Sequence, residues 1–171
     1  MKKVSIIIPV YNMEDWVESG IKCITEQTYE NLEIIIIDDG SKDGTQEIAD
    51  RYQEKYPTIV KAIHQENKGH GGAVNTGVEN ATGLYFKVVD SDDWVNPEAY
   101  QKILNVLAEV VRGPKTLDLL ISNYVYEKEG AKRKRVMRYA KSLPEGRFFG
   151  WDEAKALGKT HYLLMHSLIY R

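Results

Sequence analysis

Cysteine, long apolar runs and an excess of charge of either sign are all scarce in this sequence. Cys23 is the one cysteine among 171 residues, which excludes an intramolecular disulfide and a zinc site built from cysteines. No run approaches the roughly 20 apolar residues of a membrane-spanning helix, so we expect a soluble, cytoplasmic chain. The formal net charge of −2 argues against broad electrostatic binding of nucleic acid.

The residues that are present fit one globular domain. Hydrophobic residues make up 43% of the chain, enough for a substantial core at this length. We interpret residues 1–171 as a single domain without an internal repeat or a low-complexity linker. A strand-like pattern over residues 162–170 stops at Arg171 without a tail, which favours a fragment of a longer protein.

The most informative stretch is an apolar run that ends in carboxylates. Residues 84–89 have the aromatic and β-branched content of a buried strand, and Asp90, Asp92 and Asp93 follow it directly. Crowded carboxylates repel each other, whereas hard oxygen ligands of this kind suit Mg²⁺ or Mn²⁺. The alternative is that Asp92 or Asp93 caps the helix that Asn96 and Pro97 announce.

Three earlier strands are predicted, and each is followed by a polar cluster. The first should end at Pro9, the second covers residues 32–37, and residues 59–65 form a third strand nearer an edge. Strands that alternate with helices favour an α/β sheet with right-handed crossovers, in which ligands bind beyond the carboxyl ends of the strands. We therefore expect residues 9–12, 38–41, 64–71 and 90–93 to share one rim.

Other patterns predict the flanking elements. Asn12 should cap a first helix whose apolar face is Val17, Gly20, Ile21 and Ile24. A helix should follow Pro97 and end before Gly113, residues 117–126 and 162–170 should be strands, and a short helix should begin at residue 151.

A basic cluster stands apart from the rim. Its members are Lys132, Arg133, Lys134, Arg135 and Arg138. Such runs are most often solvated hairpins or loops. The sharper alternatives are peripheral contact with an acidic membrane surface and contact with a phosphorylated substrate.

The predicted rim offers what a nucleoside diphosphate needs. Asp39 can accept a hydrogen bond from a ring N–H such as that of uracil, and Asp90 can bind ribose hydroxyls or a metal-bound water. Asp92, with Asp93 as an alternate, can hold a metal that bridges the two phosphates. Backbone N–H groups of residues 69–72, at a helix start, and the Lys68 side chain can add to phosphate binding.

At this point the motifs resemble those of the family 2 glycosyltransferases of GT-A fold. They are SIIIPVYN at residues 5–12, IDDGSKDGT at 37–45, NKG at 67–69 with NTG at 75–77, and DSDD at 90–93. The resemblance implies an α/β fold with a mostly parallel central sheet between helices, three layers in all. The nucleotide-sugar site that we infer comprises Pro9, Tyr11, Asn12, Asp38, Asp39, Gly40, Ser41, Lys68, Gly69, Asp90 and Ser91, with Asp92, Asp90 and Asp93 as metal ligands.

The resemblance also implies an activity. It indicates an inverting transferase that moves a sugar from a nucleotide-diphosphate donor, with uridine favoured, to a glycan or lipid-linked acceptor, using Mn²⁺ or Mg²⁺. Residues 1–100 would form the nucleotide-sugar-binding half, and residues 101–171 the incomplete beginning of the acceptor half. The general base would then lie beyond Arg171, and we assign no catalytic residue. Val74 stands where many relatives carry arginine.

Two rival functions share part of this pattern. A nicotinamide-dependent dehydrogenase needs glycines in the first strand-to-helix turn, where PVYN stands at residues 9–12. That argues strongly against it. A non-catalytic nucleotide-sugar-binding module would present the same rim as the enzyme, and only turnover separates the two.

Overall fold

The computed structural model describes residues 4–25, 32–127, 134–157 and 162–171. Within these ranges the strands are β1 (Val4–Val10), β2 (Leu32–Asp38), β3 (Val60–His64), β4 (Tyr85–Val88), β5 (Leu119–Ile121), β6 (Tyr124–Tyr126), β7 (Arg135–Met137) and β8 (Leu168–Tyr170). The helices are α1 (Val17–Thr25), α2 (Thr45–Lys55), α3 (Gly69–Asn80) and α4 (Pro97–Arg112), with 3₁₀ turns at Trp151–Glu153 and Met165–Ser167.

The central sheet has six strands among the described residues, in the order β3-β2-β1-β4-β8-β5. The four strands β3, β2, β1 and β4 are parallel, while β8 runs antiparallel to both β4 and β5. The chain steps outward from β1 to β3 and then returns to the other side of β1. The strand order therefore reverses between β1 and β4, and the carboxyl ends of all four parallel strands share one edge, as predicted.

Helices cover both faces of this sheet. All seven residues of β1 are buried, and so are all seven of β2. Ile6 and Ile34 pack in one apolar cluster with residues of α1, α2 and α4, whereas Ile7 and Ile35 pack in a second cluster with Ala73 of α3. Successive residues of a strand point to opposite faces, so the predicted α/β/α arrangement of three layers is confirmed.

The prediction that Pro9 ends the first strand was wrong. β1 continues to Val10, and Pro9 pairs in register with Ile37 of β2. The hydrogen bonds show why. Val10 O accepts from the β2 side and Ile7 O accepts from Val89 on the β4 side, so Pro9, two residues after Ile7, faces β4. The pairing of β1 with β4 ends at Ile7 and Val88, and a missing N–H costs nothing there.

Asn12 does not cap α1, which begins only at Val17. Its backbone is left-handed, with φ of 52°. The side chain instead accepts a hydrogen bond from the Lys42 backbone N–H at 2.7 Å. Asn12 therefore ties the loop after β1 to the loop after β2, which the sequence pattern had not predicted.

The late strands are shorter than predicted. Residues 117–126 form two strands in different sheets, because Asn123 leaves the central sheet and accepts from the Tyr139 N–H. Of the expected strand over residues 162–170, only Leu168–Tyr170 pairs as a strand, and the 3₁₀ turn Met165–Ser167 precedes it.

The basic cluster lies only partly in the described ranges, since residues 128–133 fall outside them. Lys134 pairs with Glu127, and Arg135 lies in the two-stranded sheet of β6 and β7, as a solvated hairpin predicts. No helix in the described ranges combines the length and the hydropathy that crossing a membrane requires.

Candidate functional site

Asp39, directly after β2, is buried and firmly held. Its Oδ1 accepts hydrogen bonds from Gln65 Nε2 at 2.6 Å and from the Lys68 N–H at 2.9 Å. Thr76 in turn donates to Gln65 Oε1 at 2.7 Å, which orients the amide. Burial alone raises a carboxyl pKa, but these bonds and one from the Gly69 N–H bring the pKa of Asp39 below its ordinary value. The side chain is therefore an ionised, preorganised acceptor.

Asp38 belongs to a different network at the same edge. It is buried, its Oδ1 accepts from the Ser41 N–H at 3.0 Å, and its Oδ2 lies 3.0 Å from His64 Nδ1. The other ring nitrogen of His64 lies 3.0 Å from Asp50. Burial lowers a histidine pKa, yet the two carboxylates raise the pKa of His64 above its ordinary value. These contacts fix the tip of β3 against that of β2.

A hollow of about 530 Å³ opens between these strand tips. Gly40, one of its lining residues, has φ of 78°, and a Cβ there would lie 3.1 Å from the Asn67 N. Tyr11 stands beside the hollow with 48% of its surface exposed. The remaining lining residues are Asp38, Ser41, Lys42, Gln46, His64, Gln65, Glu66 and Asn67. Pro9 is buried in β1 and is not among them, and neither are the acids of residues 90–93. Asp39 is also buried and does not line the hollow, but it contacts the lining residue Gln65.

The loop of residues 67–70 joins the two predicted halves of the site. Its Lys68 N–H donates to Asp39, and its His70 Nε2 lies 2.9 Å from Asp90 Oδ1. Gly69, with φ of 76°, begins α3 between them. Asp39 and Asp90 follow different strands, so this one loop brings the edge of the hollow and the acidic turn together. The Lys68 side chain itself is exposed.

Residues 90–93 form a tight turn beyond β4. The Asp93 N–H donates to Asp90 O at 2.9 Å, and Ser91 is buried. α1 packs closely on this turn, because a Cβ on Gly20 would lie only 3.2 Å from Ser91 O. Asp92 is exposed. The turn therefore points its acids outward from a well-packed backbone.

None of these acids caps α4. The cap is Asn96, whose side chain accepts from the Ala99 N–H at 2.9 Å, and Pro97 begins the helix. The capping alternative for Asp92 and Asp93 was therefore wrong. Helix capping therefore does not explain why Asp92 and Asp93 lie close together in the turn.

A histidine that the sequence analysis missed joins the acids. Ligand atoms of Asp90, Asp93 and His166 all lie within 4.8 Å of one another. His166 lies in the 3₁₀ turn before β8, which is the antiparallel neighbour of β4. The only local signal was a histidine inside the otherwise apolar run of residues 162–170, and nothing in the spacing relates it to residue 93.

His166 Nδ1 bears on whether a cation fits here. Within the described residues this atom is buried without a hydrogen-bond partner, and Asp93 Oδ2 lies 3.5 Å away. Two carboxylates and an imidazole nitrogen are a usual donor set for a divalent transition metal. The residues present fit such an ion. Asp92 is not in this group, and its role as a ligand stays a prediction.

A buried lysine lies beneath the group. Lys87 Nζ donates to His166 O at 2.8 Å. Burial lowers the pKa of Lys87 to about 8, although Asp93 and Asp90 favour its charged form. Burial also raises the pKa of Asp93. The negative charges of Asp90 and Asp92 raise this pKa further, whereas positive charge on His166 and Lys87 lowers it. The acids thus repel one another unless a cation lies among them.

Comparison with known proteins identifies the family of this chain. The sequence profile of the family "Glycosyl transferase family 2" matches residues 5–154. The chain belongs to glycosyl transferase family 2. EpsH of Bacillus subtilis is 35% identical over 164 residues, which are 88% of this chain and 46% of EpsH. Glycosyltransferase GlyA of Streptococcus pneumoniae is 39% identical over 115 residues, 65% of this chain and 16% of GlyA.

Solved structures agree with the fold of this family 2 chain. Staphylococcus aureus TarS 1–349 superimposes with a TM-score of 0.74 over 99% of this chain and 47% of that 1–349 chain, at 24% identity. The mannosyltransferase PcManGT of Pyrobaculum calidifontis, in complex with GDP-Man and Mn²⁺, gives a TM-score of 0.60 at 28% identity, over 70% of this chain and 35% of PcManGT. The family 2 chain thus spans less than half the length of these relatives.

Proposed function

We propose that this chain is the donor-binding part of a glycosyltransferase that takes a sugar from a nucleotide-diphosphate sugar, with a uridine nucleotide as the preferred donor. The observation that carries the proposal is the loop of residues 67–70, which contacts Asp39 on one side and Asp90 on the other. A base acceptor and an acid for ribose or metal are thereby held on either side of the strand-order reversal, where ligands of α/β sheets bind.

The base would lie at the side of the hollow where Gln65, a lining residue, contacts Asp39. Asp39, held ionised by three donors, suits a ring N–H such as N3–H of uracil, because a charge-assisted hydrogen bond is stronger than a neutral one. The half-exposed Tyr11 ring beside the hollow can stack on a planar base. Other residues that we assign to the nucleotide-sugar site are Pro9, Asn12, Asp38, Gly40, Ser41, Lys68, Gly69, Asp90 and Ser91.

The diphosphate would lie toward the acidic turn. Asp90 and Asp93, with Asp92 beside them, would hold a divalent cation, Mn²⁺ or Mg²⁺, which supplies positive charge to a departing nucleoside diphosphate. The N–H groups at the start of α3 can bind phosphate oxygens as well. The protein's own contribution is to hold these groups in place before the donor arrives.

The relatives support this donor class. TarS has been solved in complex with UDP and with UDP-GlcNAc, at 26% identity to this chain in both structures. PcManGT was solved with GDP-Man and Mn²⁺. The base therefore differs among neighbours, and our preference for uridine rests on Asp39 and on family resemblance.

The remaining steps belong to the same proposal. Transfer with inversion needs a base that removes the acceptor hydroxyl proton as that oxygen attacks the anomeric carbon. We assign residues 1–100 to donor binding and residues 101–171 to the start of the acceptor half. We expect the base in the part of the relatives that this chain does not match. The acceptor would be a glycan or a lipid-linked sugar.

Calorimetry with free nucleotides tests the proposal. UDP should bind appreciably with Mn²⁺ and only weakly without it, while ADP, which lacks the uracil imide N–H, should bind weakly in both conditions. Equal binding of UDP and ADP, or binding of neither, would contradict the base site. Hydrolysis of UDP-sugars then separates an enzyme from a binding module, because a module would bind the donors and release no sugar.

A further inference from the structure

His166 reaches the acidic turn from a distant part of the chain. Asp90 and Asp93 follow β4, whereas His166 precedes β8, the strand that pairs with β4 through Phe86 and Tyr170. Its ring nitrogen Nδ1 faces Asp93 at 3.5 Å. Because β8 is antiparallel to β4, the residues just before β8 lie at the edge where β4 ends. The sheet topology therefore places the His166 imidazole next to Asp90 and Asp93.

The surroundings hold this imidazole in place. Lys87 Nζ donates to His166 O at 2.8 Å, and the Tyr124 ring packs edge-on to the imidazole with centroids 5.1 Å apart. The next residue, Ser167, accepts from the Ser122 N–H at 2.7 Å through its carbonyl oxygen. A side chain fixed from several directions is preorganised to bind, since little conformational freedom remains to be lost.

The unsatisfied nitrogen points to a ligand. A buried polar atom without a hydrogen-bond partner is destabilising, and His166 Nδ1 is such an atom among the described residues. A cation between it, Asp90 and Asp93 would satisfy the nitrogen and relieve the repulsion between the carboxylates. A simple ion pair with Asp93 would leave the two acids crowded.

We propose that His166 is the third protein ligand of the divalent cation, with Asp90 and Asp93, and that it makes the site prefer Mn²⁺ to Mg²⁺. This inference deepens the proposed function and rests on it. Imidazole nitrogen suits first-row transition metals, whereas Mg²⁺ prefers an all-oxygen shell. The site should therefore discriminate between the two ions even before a nucleotide binds.

Electron paramagnetic resonance on Mn²⁺ alone tests this without nucleotide or turnover. Pulsed measurements on the unmodified chain should detect ¹⁴N coupling from a coordinated imidazole. The coupling should vanish in His166→Ala and persist in His70→Gln, which removes the imidazole that contacts Asp90 within the described residues. No bound Mn²⁺, no coupling in the unmodified chain, or coupling that survives in His166→Ala would each overturn the proposal.

Affinities give a second reading. The resonance signal of free Mn²⁺ measures how much Mn²⁺ is bound, and competition with Mg²⁺ gives the affinity for Mg²⁺. Mn²⁺ should bind at least about tenfold more tightly than Mg²⁺. His166→Ala should weaken Mn²⁺ binding about tenfold or more. The matched control is His64→Gln, whose strand β3 lies three positions from β4 in the sheet, about 14 Å away. An unchanged preference for Mn²⁺ in His166→Ala would contradict the assignment.

The outcomes also separate this inference from the proposed function. If UDP binding depends on Asp39 but Mn²⁺ shows no imidazole coupling, the role of His166 falls and the donor site stands. If His166 binds Mn²⁺ but no nucleoside diphosphate binds, the donor assignment falls and the metal site stands. Circular dichroism of His166→Ala shows whether the variant folds; if it does not, the more conservative variant His166→Gln should lose the coupling that His70→Gln retains.

Discussion

Asp39→Asn isolates the charge that we assign to base recognition. The two side chains have nearly the same size, and the amide oxygen can still accept from Gln65 Nε2 and from the Lys68 N–H, which both reach one oxygen of Asp39. The second oxygen becomes an NH₂ group. That group is a donor, and it would face a ring N–H that is also a donor. The fold should persist while the base contact is lost.

The size of the effect follows from the kind of bond removed. A hydrogen bond to a charged group contributes about 1.5–3 kcal/mol, and about 1.4 kcal/mol corresponds to a tenfold change in affinity. Asp39 is 3% exposed, so solvent screens this bond little and the range applies without a reduction for screening. We expect Asp39→Asn to weaken UDP binding by about 10- to 150-fold.

Calorimetry with Mn²⁺ measures this change. The matched control is Asp118→Asn, which removes a carboxylate that is 90% exposed and pairs only loosely with Arg171, 3.8 Å away. UDP methylated at N3 completes the comparison, because it lacks the ring N–H. The methylated nucleotide should bind the unmodified chain weakly and should lose little more in Asp39→Asn.

Two results would refute this reasoning. One is UDP affinity in Asp39→Asn within about twofold of the unmodified chain, with the fold intact by circular dichroism. The other is an equal loss of UDP and of N3-methylated UDP, since that would mean that the substitution acts on the shape of the loop rather than on the ring N–H. A loss shared by Asp118→Asn would indicate a general effect of charge.

Three further predictions concern the frame around the site. Gly77→Ala should lower the free energy of unfolding, measured in urea, by about 1–2 kcal/mol. The new methyl group overlaps the fully buried Ile7, and this strain exceeds the roughly 1 kcal/mol that alanine gains over glycine in helix propensity. Equal stability of the two chains would contradict the prediction. The pKa of His64 is raised in the folded state. Protonated His64 should therefore stabilise the fold fully below about pH 6.5, and this stabilisation should be lost as the pH rises through the raised pKa. The free energy of unfolding in urea should be lower at pH 8 than at pH 6, and His64→Gln should reduce that difference. Burial raises the pKa of Cys23, so at pH 8 a thiol reagent should react more slowly with the native chain than with the chain unfolded in urea. Equal reaction rates would contradict this prediction.

The strands and their polar ends could be predicted because both are local properties of the sequence. An apolar run that stops at Asp38 or at Asp90 specifies a buried strand and its tip without reference to the rest of the chain. Parallel pairing then brings the tips to one edge as a consequence of handedness. The α/β sheet and the common edge therefore followed from the pattern, and the three layers from the family resemblance.

The parts that were missed depend on tertiary contacts. His166 meets Asp93 only because β8 inserts beside β4, and no spacing along the chain encodes that insertion. Pro9 stays in a central strand because the pairing with β4 has already ended at Ile7. Asn12 leaves the helix start to accept from Lys42. In each case a neighbour distant in sequence overrode a local preference.

The insertion of β8 also protects the sheet during folding. Without Leu168–Tyr170, β4 would be an edge strand with open N–H and C=O groups on one side. Until residues 168–170 are in place, a nascent or shortened chain would offer that edge to other molecules and would be prone to aggregate.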